Sequence, residues 1–160
     1  MTVRAIDCWV NVNMSGLGRP DFLTEAAKHL FKQGEDFFRD YTIEEILKTM
    51  DALGVEKAIL TTDAEQPQPH VLSFAEQRPQ RFFLGAQLDP RRGMKAIRAL
   101  ERFRRDHIVV LARITPFMLD LAPNNAVYYP VYAKCIDLGL PIAINTGIPG
   151  PPLPGKCQDP

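Results

Sequence analysis

The sequence lacks the compositional features that mark several large classes of protein. Its 160 residues carry no net charge, because 19 lysines and arginines balance 19 aspartates and glutamates. That balance removes the electrostatic argument for a nucleic-acid or anionic-membrane partner. The three cysteines are scattered and odd in number, which argues against a disulfide framework. No apolar run approaches membrane-spanning length, so the cytoplasm is the expected location.

Phosphate-binding and triad motifs are absent as well. No G-x-G-x-x-G follows a predicted strand, and no G-x-x-x-x-G-K-[ST] occurs. The three histidines, His29, His70 and His107, fall in a loop, at a helix start and before a strand. They therefore predict neither a shared metal site nor a Ser–His–Asp triad. Cys8 and Cys135 lie in apolar stretches and are expected to be small buried residues.

What the sequence does contain, from Tyr41 onward, is a regular alternation of helix and strand patterns. Thr42 and Glu45 form a capping box at the start of one helix, and Gly54 supplies its left-handed end. The predicted helices are 43–53, 71–78, 94–103 and 128–138, and the predicted strands are 3–12, 57–61, 81–87, 108–114 and 141–145. Apolar strands separated by helices indicate one domain, residues 1–160, with a parallel sheet covered by helices. Periodicity alone leaves open a doubly wound sheet and a closed (β/α)₈ barrel.

Two segments stand outside this alternation. Residues 13–40 form a long loop after the first strand, and its middle is predicted to be helical. One face of that helix would carry Leu23, Ala27, Leu30 and Phe31. Loops of this length usually act as lids or subunit contacts. The other segment is a proline-rich tail, residues 148–160, which cannot form a helix or a central strand.

Polar residues follow every predicted strand. Ligands of parallel α/β proteins bind at the carboxyl ends of the strands, and right-handed crossovers bring these ends to one rim. The residues placed there are Trp9, Asn11, Asn13, Thr62, Asp63, Gln87, Asp89, Arg113, Thr115, Asn145 and Thr146. For each of them, capping a loop is an equal alternative to contacting a ligand. Asp89, which precedes Pro90, is also suited to ending a strand and starting a helix.

The order and spacing of several segments resemble a known family. They are Ile6-Asp7, Thr42 to Leu47, Met50 to Val55, Arg81 to Gly85 and Leu138 to Gly147. Together they are similar to the N-terminal portion of the amidohydrolase-related family that includes aminocarboxymuconate-semialdehyde decarboxylase. The resemblance implies a (β/α)₈ barrel of about 250 residues or more. This chain would supply a partial barrel of about five parallel strands, with an exposed apolar flank and a tendency to form homo-oligomers.

The same resemblance implies a metal site whose ligands have been replaced. The family carries I-D-x-H-x-H on the first strand and L-P-x-x-x-H-T-G on the last one present here. Trp9, Asn11 and Asn145 stand at these histidine positions. A carboxamide binds transition metals weakly and an indole does not bind them. A divalent metal such as zinc is therefore not expected to be well held.

The resemblance implies a hydrolase or decarboxylase that acts on small carboxylated or cyclic substrates. Trp9, Asn11, Arg113 and Asn145 are the candidate substrate-binding residues, with Arg113 supplying charge to a carboxylate or carbonyl. Asp63 and Asp89 are the candidate bases for catalysis without a metal. The alternative is a non-catalytic scaffold that binds a small ligand at the same rim or a partner through the long loop. Neither hypothesis calls for nucleic acid or a membrane.

Overall fold

The computed structural model describes residues 4–147 and Cys157. Within these residues, five strands form one parallel sheet whose order follows the chain. The strands are β1 (Ala5–Val10), β2 (Val55–Asp63), β3 (Phe82–Gln87), β4 (Val109–Ile114) and β5 (Ile142–Ile144). The α-helices are α1 (Asp21–Glu25), α2 (Ile43–Leu53), α3 (Pro69–Gln77), α4 (Met94–Asp106), α5 (Pro116–Leu119) and α6 (Tyr129–Asp137). The five predicted strands and their alternation with helices are confirmed, with small shifts in their bounds.

Helix α2 shows how local sequence sets these bounds. The Thr42 hydroxyl accepts a hydrogen bond from the backbone N–H of Glu45 at 3.2 Å, and the Glu45 carboxylate accepts one from the Thr42 N–H at 2.8 Å. These two bonds satisfy N–H groups that the first turn of a helix leaves unpaired. Gly54 ends the helix with φ at 71°, a left-handed conformation that glycine adopts without strain. The predicted capping box and helix end are confirmed.

The main core lies between the sheet and its helices. Strand residues that alternate along the chain, such as Leu60, Leu84 and Ala112, are fully buried against helical residues that include Phe74 and Leu100. The residues between them face the inside of the curved sheet. The helices pack on the outer face of the sheet, and no helix of the described residues covers the inner face. The sheet is therefore a half-barrel whose inner face and upper rim are available to position a site.

The inner face changes from apolar to polar along the strands. Its lower layer includes Ile59 and Phe83, which are register partners and are half-buried. Its upper layer includes Gln87 and its partner Arg113 on the next strand. The polar residues predicted for the rim thus share one end of the half-barrel.

Strand β1 is the least buried of the five. Residues Ala5–Trp9 are all exposed, with Ile6 58% and Trp9 44% exposed. The prediction that Cys8 is buried is wrong, because β1 forms an edge of the sheet and little packs over it. Cys135 on α6 is buried as predicted, and burial raises the pKa of its thiol. The exposed apolar residues on β1 agree with the predicted apolar flank.

The first loop, residues 13–40, folds into short helical segments over the rim. A 3₁₀ turn at Ser15–Leu17 precedes α1, which continues as a π-helix over Ala26–Leu30, and a second 3₁₀ turn covers Gly34–Phe38. Its buried residues Met14, Ala27, Phe37 and Phe38 form a cluster separate from the main core. On the single helical face predicted for this loop, Ala27 is buried, whereas Leu30 and Phe31 are half-exposed. The π turn is closed by a bond from the Phe31 N–H to the Ala26 carbonyl, and the Phe31 ring stacks on Phe37 with centroids 4.9 Å apart.

Asp40 joins the two ends of the first loop. It forms an antiparallel bridge with Asn13, and its carboxylate accepts hydrogen bonds from the Ser15 N–H at 2.9 Å and the Ser15 hydroxyl at 2.7 Å. Slight burial raises the pKa of the Asp40 carboxyl, but the Ser15 bonds outweigh it and the pKa is lowered. The loop is therefore closed at its base by hydrogen bonds from Ser15 to the charged carboxylate of Asp40.

Two further sequence expectations concern the chain end and membranes. The proline-rich tail falls outside the described residues except for Cys157, which is buried with its sulfur 3.7 Å from an Asp120 oxygen. Among the helices within residues 4–147, none has the length and apolar character needed to cross a membrane.

Candidate functional site

A cavity of about 960 Å³ lies at the carboxyl ends of the strands, beneath the first loop. Its polar lining comes from the strand ends and includes Asn11, Thr61, Gln87, Asn145 and Thr146. The Gln87 amide donates a hydrogen bond to the Thr115 hydroxyl at 2.8 Å, which joins β3 to the segment after β4. The floor of the cavity is thus made of neutral hydrogen-bonding groups on rigid strands.

The walls of the cavity are apolar and come from segments that the sequence analysis did not assign to the site. One wall is α5, which contributes Phe117, Met118 and Leu119. The other is the first loop, which contributes Met14, Leu17, Pro20, Phe22, Leu23, Phe31 and Phe37. The sequence signal for the α5 wall was Pro116 directly after the rim residue Thr115, since proline favours the first turn of a helix.

Trp9, Asn11 and Asn145 all line this cavity, as their predicted position on the rim requires. Within the described part of the chain, the buried Asn145 side-chain oxygen has no hydrogen-bond partner, and neither has the buried Thr61 hydroxyl on β2. Buried polar atoms are nearly always paired, so an unpaired one needs an explanation such as a water or a ligand. Both orphaned atoms belong to residues that line the cavity.

Arg113 is the one predicted site residue that the structure places beneath the cavity instead of on its surface. It is 95% buried, since its exposed fraction is 5%. Its guanidinium lies 4.3 Å from the Trp9 ring centroid, in a cation–π contact. Its Nη2 donates to the Cys8 carbonyl at 2.8 Å, and its Nε has no partner among the described residues. Burial lowers the pKa of this guanidinium from its usual value.

Asp63 ends β2 and is exposed at the mouth of the cavity. Its Oδ1 accepts hydrogen bonds from the backbone N–H groups of Glu65 at 2.7 Å and Gln66 at 2.8 Å. These bonds hold the turn after the strand, so the alternative of loop capping applies to this oxygen. The Oδ2 atom accepts no hydrogen bond from the described residues and faces a solvent-accessible region.

Both carboxylate oxygens of Asp89 accept hydrogen bonds from its own turn, whereas only one oxygen of Asp63 does. Its Oδ1 accepts from the N–H of Arg91 at 3.0 Å and caps the 3₁₀ turn at Pro90–Arg92. The Arg91 guanidinium also binds both of its oxygens, at 2.9 and 2.8 Å. Hydrogen bonding to Arg91 lowers the pKa of the Asp89 carboxyl, although partial burial acts in the opposite direction. Asp89 therefore starts a helical turn, as the alternative interpretation of Asp89-Pro90 predicted.

The side chains at the site do not fit a divalent transition metal. At the positions where the family carries histidines, the cavity is lined by the indole of Trp9 and the carboxamides of Asn11 and Asn145. Among residues 4–147 and 157, no group of three or more His, Cys, Asp or Glu could hold a metal ion. His70 is engaged with the Tyr41 carbonyl at 3.0 Å, and His107 lies against Phe103. The buried guanidinium of Arg113 adds a positive charge beside the same positions.

Comparison with solved structures places this half-barrel among larger barrels. An uncharacterised TIM-barrel protein from Bordetella bronchiseptica is 18% identical, with a TM-score of 0.65, and the match covers 94% of this chain and 58% of that one. The 5-carboxyvanillate decarboxylase of Sphingomonas paucimobilis is 18% identical with a TM-score of 0.69, covering 91% and 52%. A 5-carboxyvanillate decarboxylase from Novosphingobium aromaticivorans, solved with manganese and a nitrobenzoic acid, is 14% identical with a TM-score of 0.65, covering 90% and 50%.

These structures confirm the predicted partial (β/α)₈ barrel, and the chain spans about half the length of each. No curated protein sequence gives a significant match. A family model described as amidohydrolase matches residues 6–160, nearly the whole sequence. The family expected from the strand-end motifs is thereby confirmed: the chain belongs to the amidohydrolase family.

Proposed function

We propose that the cavity is the substrate site of a hydrolase or decarboxylase for small carboxylated or cyclic molecules. The observation that supports this proposal is how the cavity is built. Neutral polar groups lie on the strand ends, and the first loop and α5 form apolar walls. A ring fits between such walls, while its polar substituents reach the floor. The decarboxylases that share the fold act on a carboxylated aromatic compound, which supports the same class of substrate.

In this proposal, substrate orientation depends on the strand-end amides. The side-chain N–H groups of Asn11 and Asn145 donate hydrogen bonds to a carbonyl or carboxylate of the substrate. The orphaned Asn145 oxygen accepts one from a substrate hydroxyl, and the orphaned Thr61 hydroxyl donates one to the substrate. Trp9 contacts the ring from the floor. The positive charge of Arg113 draws the carboxylate downward, away from the acidic side chains at the mouth of the cavity.

We assign proton transfer first to Asp63 and second to Asp89. Asp63 has an oxygen that no described residue occupies, whereas both oxygens of Asp89 are bound by Arg91. In hydrolysis, the Asp63 carboxylate removes a proton from the water that attacks the substrate carbonyl. In decarboxylation, the protonated acid donates to the carbon that loses CO₂. Neither step is routed through a metal, because the donor set does not fit one.

An Asp63→Asn variant tests this assignment. Asparagine keeps an oxygen that can accept the Glu65 and Gln66 bonds but cannot act as a base, so the turn is kept while proton transfer is lost. We expect turnover to fall by about 10²–10⁴-fold in a panel of hydroxylated aromatic carboxylates and aryl lactones. Asp36→Asn, a change at an exposed acid of the first loop, is the matched control. Undiminished turnover in Asp63→Asn would refute the role of Asp63.

A non-catalytic scaffold is the second candidate, and one observation favours it. Both candidate bases hold local turns, which is a sufficient structural reason for their presence. This hypothesis predicts that panel compounds bind at the cavity with no product formed, even after long incubation. Binding followed by calorimetry and product formation followed by chromatography separate the two candidates.

We also propose that the protein forms homo-oligomers through the exposed flank at β1, where Ile6 is 58% exposed. Light scattering during size-exclusion chromatography tests this. An Ile6→Lys variant should shift the mass toward that of a monomer, and a monomeric wild type at high concentration would contradict the proposal.

A further inference from the structure

The Arg113 guanidinium is a buried cation without a counter-ion. It is 5% exposed, and it forms no ion pair with any carboxylate of the described residues. Of the five N–H donors that a guanidinium carries, the described residues accept one, at the Cys8 carbonyl. A buried charge that lacks a partner is costly to maintain. The position of Arg113 therefore needs a reason beyond packing.

Trp9 supplies the only aromatic contact to this cation among the described residues, and its ring is placed to move. The ring lines the cavity, whereas the guanidinium beneath it does not. Trp9 is 44% exposed, and the register of β1 against β2 shifts between Asp7 and Val10, the stretch that contains it. Edge-strand residues at such irregularities are held by few ladder hydrogen bonds. The ring can rotate away with little loss of packing.

The contact that Trp9 makes is weaker than the contact that could replace it. A desolvated cation–π contact contributes about 2 kcal/mol. A carboxylate binds a guanidinium through two charge-assisted hydrogen bonds, which are roughly twice as strong as neutral ones. A carboxylate would also satisfy the orphaned Nε atom. A carboxylate therefore gives the guanidinium the counter-ion and the hydrogen bonds that the indole cannot supply.

We propose that Trp9 is a displaceable cover over Arg113, and that the carboxylate of a small aromatic acid replaces the indole on the guanidinium. Arg113 then takes the place of a metal ion as the positive centre of the site. This inference rests on the proposed function in assuming that the cavity admits an aromatic ring. It goes further in naming Trp9 as the residue that controls access to the Arg113 guanidinium.

The protein contains its own reporter for this exchange, because Trp9 is its single tryptophan. Benzoate and benzamide are matched probes, equal in shape and different in charge. In buffer with EDTA, we expect benzoate to change the Trp9 fluorescence saturably and to bind at least about tenfold more tightly than benzamide, a difference of ~1.4 kcal/mol. Zinc or manganese added in EDTA-free buffer should leave both titrations unchanged.

Two variants assign the effect to Arg113. Arg113→Gln should abolish the preference for benzoate, and Arg113→Lys should restore part of it, since the charge returns without the planar fork. Lys57→Gln is the matched control, because Lys57 is also a cation over an aromatic ring, 5.7 Å from the Phe83 centroid on the lower layer of the same face. It should bind benzoate as the wild type does. Circular dichroism and thermal unfolding confirm that each variant is folded.

Each outcome bears on a different part of the inference. A preference for benzoate that Arg113→Gln removes and Lys57→Gln keeps supports it. Equal binding of benzoate and benzamide overturns the role of Arg113 while leaving the cavity as a ring-binding site. No binding of either probe overturns the proposed function as well. Benzoate binding that appears only with added metal overturns the substitution of arginine for a metal ion.

Discussion

Replacing Asp40 by alanine should open the base of the first loop without unfolding the half-barrel. The Asp40 carboxylate accepts two hydrogen bonds from Ser15, at 2.9 and 2.7 Å. A hydrogen bond to a charged group contributes about 1.5–3 kcal/mol. Asp40 is exposed to water, which weakens such pairs, so we take ~1.5 kcal/mol for both bonds together. That loss raises the open population of the loop about tenfold.

Hydrogen exchange followed by mass spectrometry measures this population directly. Amides of residues 13–40 should exchange about tenfold faster in Asp40→Ala, whereas those of β2 and β3 should not change. The reason is that the cluster of Met14, Ala27, Phe37 and Phe38 is separate from the main core. Ser15→Ala should have a smaller effect, because it removes the hydroxyl bond and keeps the N–H bond.

Asp36→Ala provides the control, since Asp36 lies in the same loop and its side chain is exposed. It should leave exchange unchanged. The contribution of Asp40 to closing the loop also depends on pH in a definite direction. The lowered pKa of Asp40 means that its contribution is present above the unfolded-state value of about 3.9 and is lost as the pH falls through the folded-state value. Equal protection in Asp40→Ala and wild type at neutral pH would refute this account of the loop.

Three further predictions concern the metal positions and the fold. Replacing Trp9, Asn11 and Asn145 together by histidine should create a site that binds cobalt(II), seen as visible absorption that the wild type lacks. Tyr128→Phe should lower the free energy of unfolding by about 1 kcal/mol, because the fully buried hydroxyl donates to a backbone carbonyl at 2.8 Å. Thr42→Ala should lower the free energy of unfolding by a similar amount, about 1 kcal/mol, because it removes the capping box. Urea denaturation measures the change in both variants.

Each of these has a matched comparison. The cobalt test fails if the folded triple variant stays colourless, and single histidine variants should bind far more weakly. Tyr129→Phe, at an exposed residue, should change stability much less than Tyr128→Phe. Burial raises the pKa of Tyr128 to about 12, so its ionisation should be absent from a titration of the native protein near pH 10. Thr49→Ala, inside α2, lacks a capping role and serves as the comparison for Thr42→Ala.

The parts of the fold that depend on local chemistry could be predicted from sequence. The bounds of α2 followed from Thr42, Glu45 and Gly54 alone, because capping bonds form between residues three positions apart. The five strands were placed to within two residues from their apolar runs, and with them the locations of Trp9 and Asn145 near the rim. The apolar walls were missed, since α5 has four residues and shows no periodicity.

Properties that depend on distant residues were predicted less well. Cys8 was expected to be buried because its neighbours are apolar, but burial on an edge strand depends on what packs over the sheet. Arg113 was expected to face a ligand, and its contact with a carbonyl 105 residues earlier could not be inferred from spacing. The π-helix at Ala26–Leu30 could not be predicted either, because the apolar spacing of the first loop fits an ordinary 3.6-residue period equally well.

The order of the strands has a consequence for how the chain assembles. Each strand pairs with the next one along the sequence, and β2, β3 and β4 are joined by single crossovers over α3 and α4. Each of these β–α–β units can therefore form before the rest of the sheet, with one strand serving as a template for its successor. β1 buries little and pairs only with β2 in the described residues. Because the first loop and α2 separate β1 from β2, closing this pair fixes a longer stretch of chain than closing the others. We therefore expect β1 to join the sheet after the inner strands.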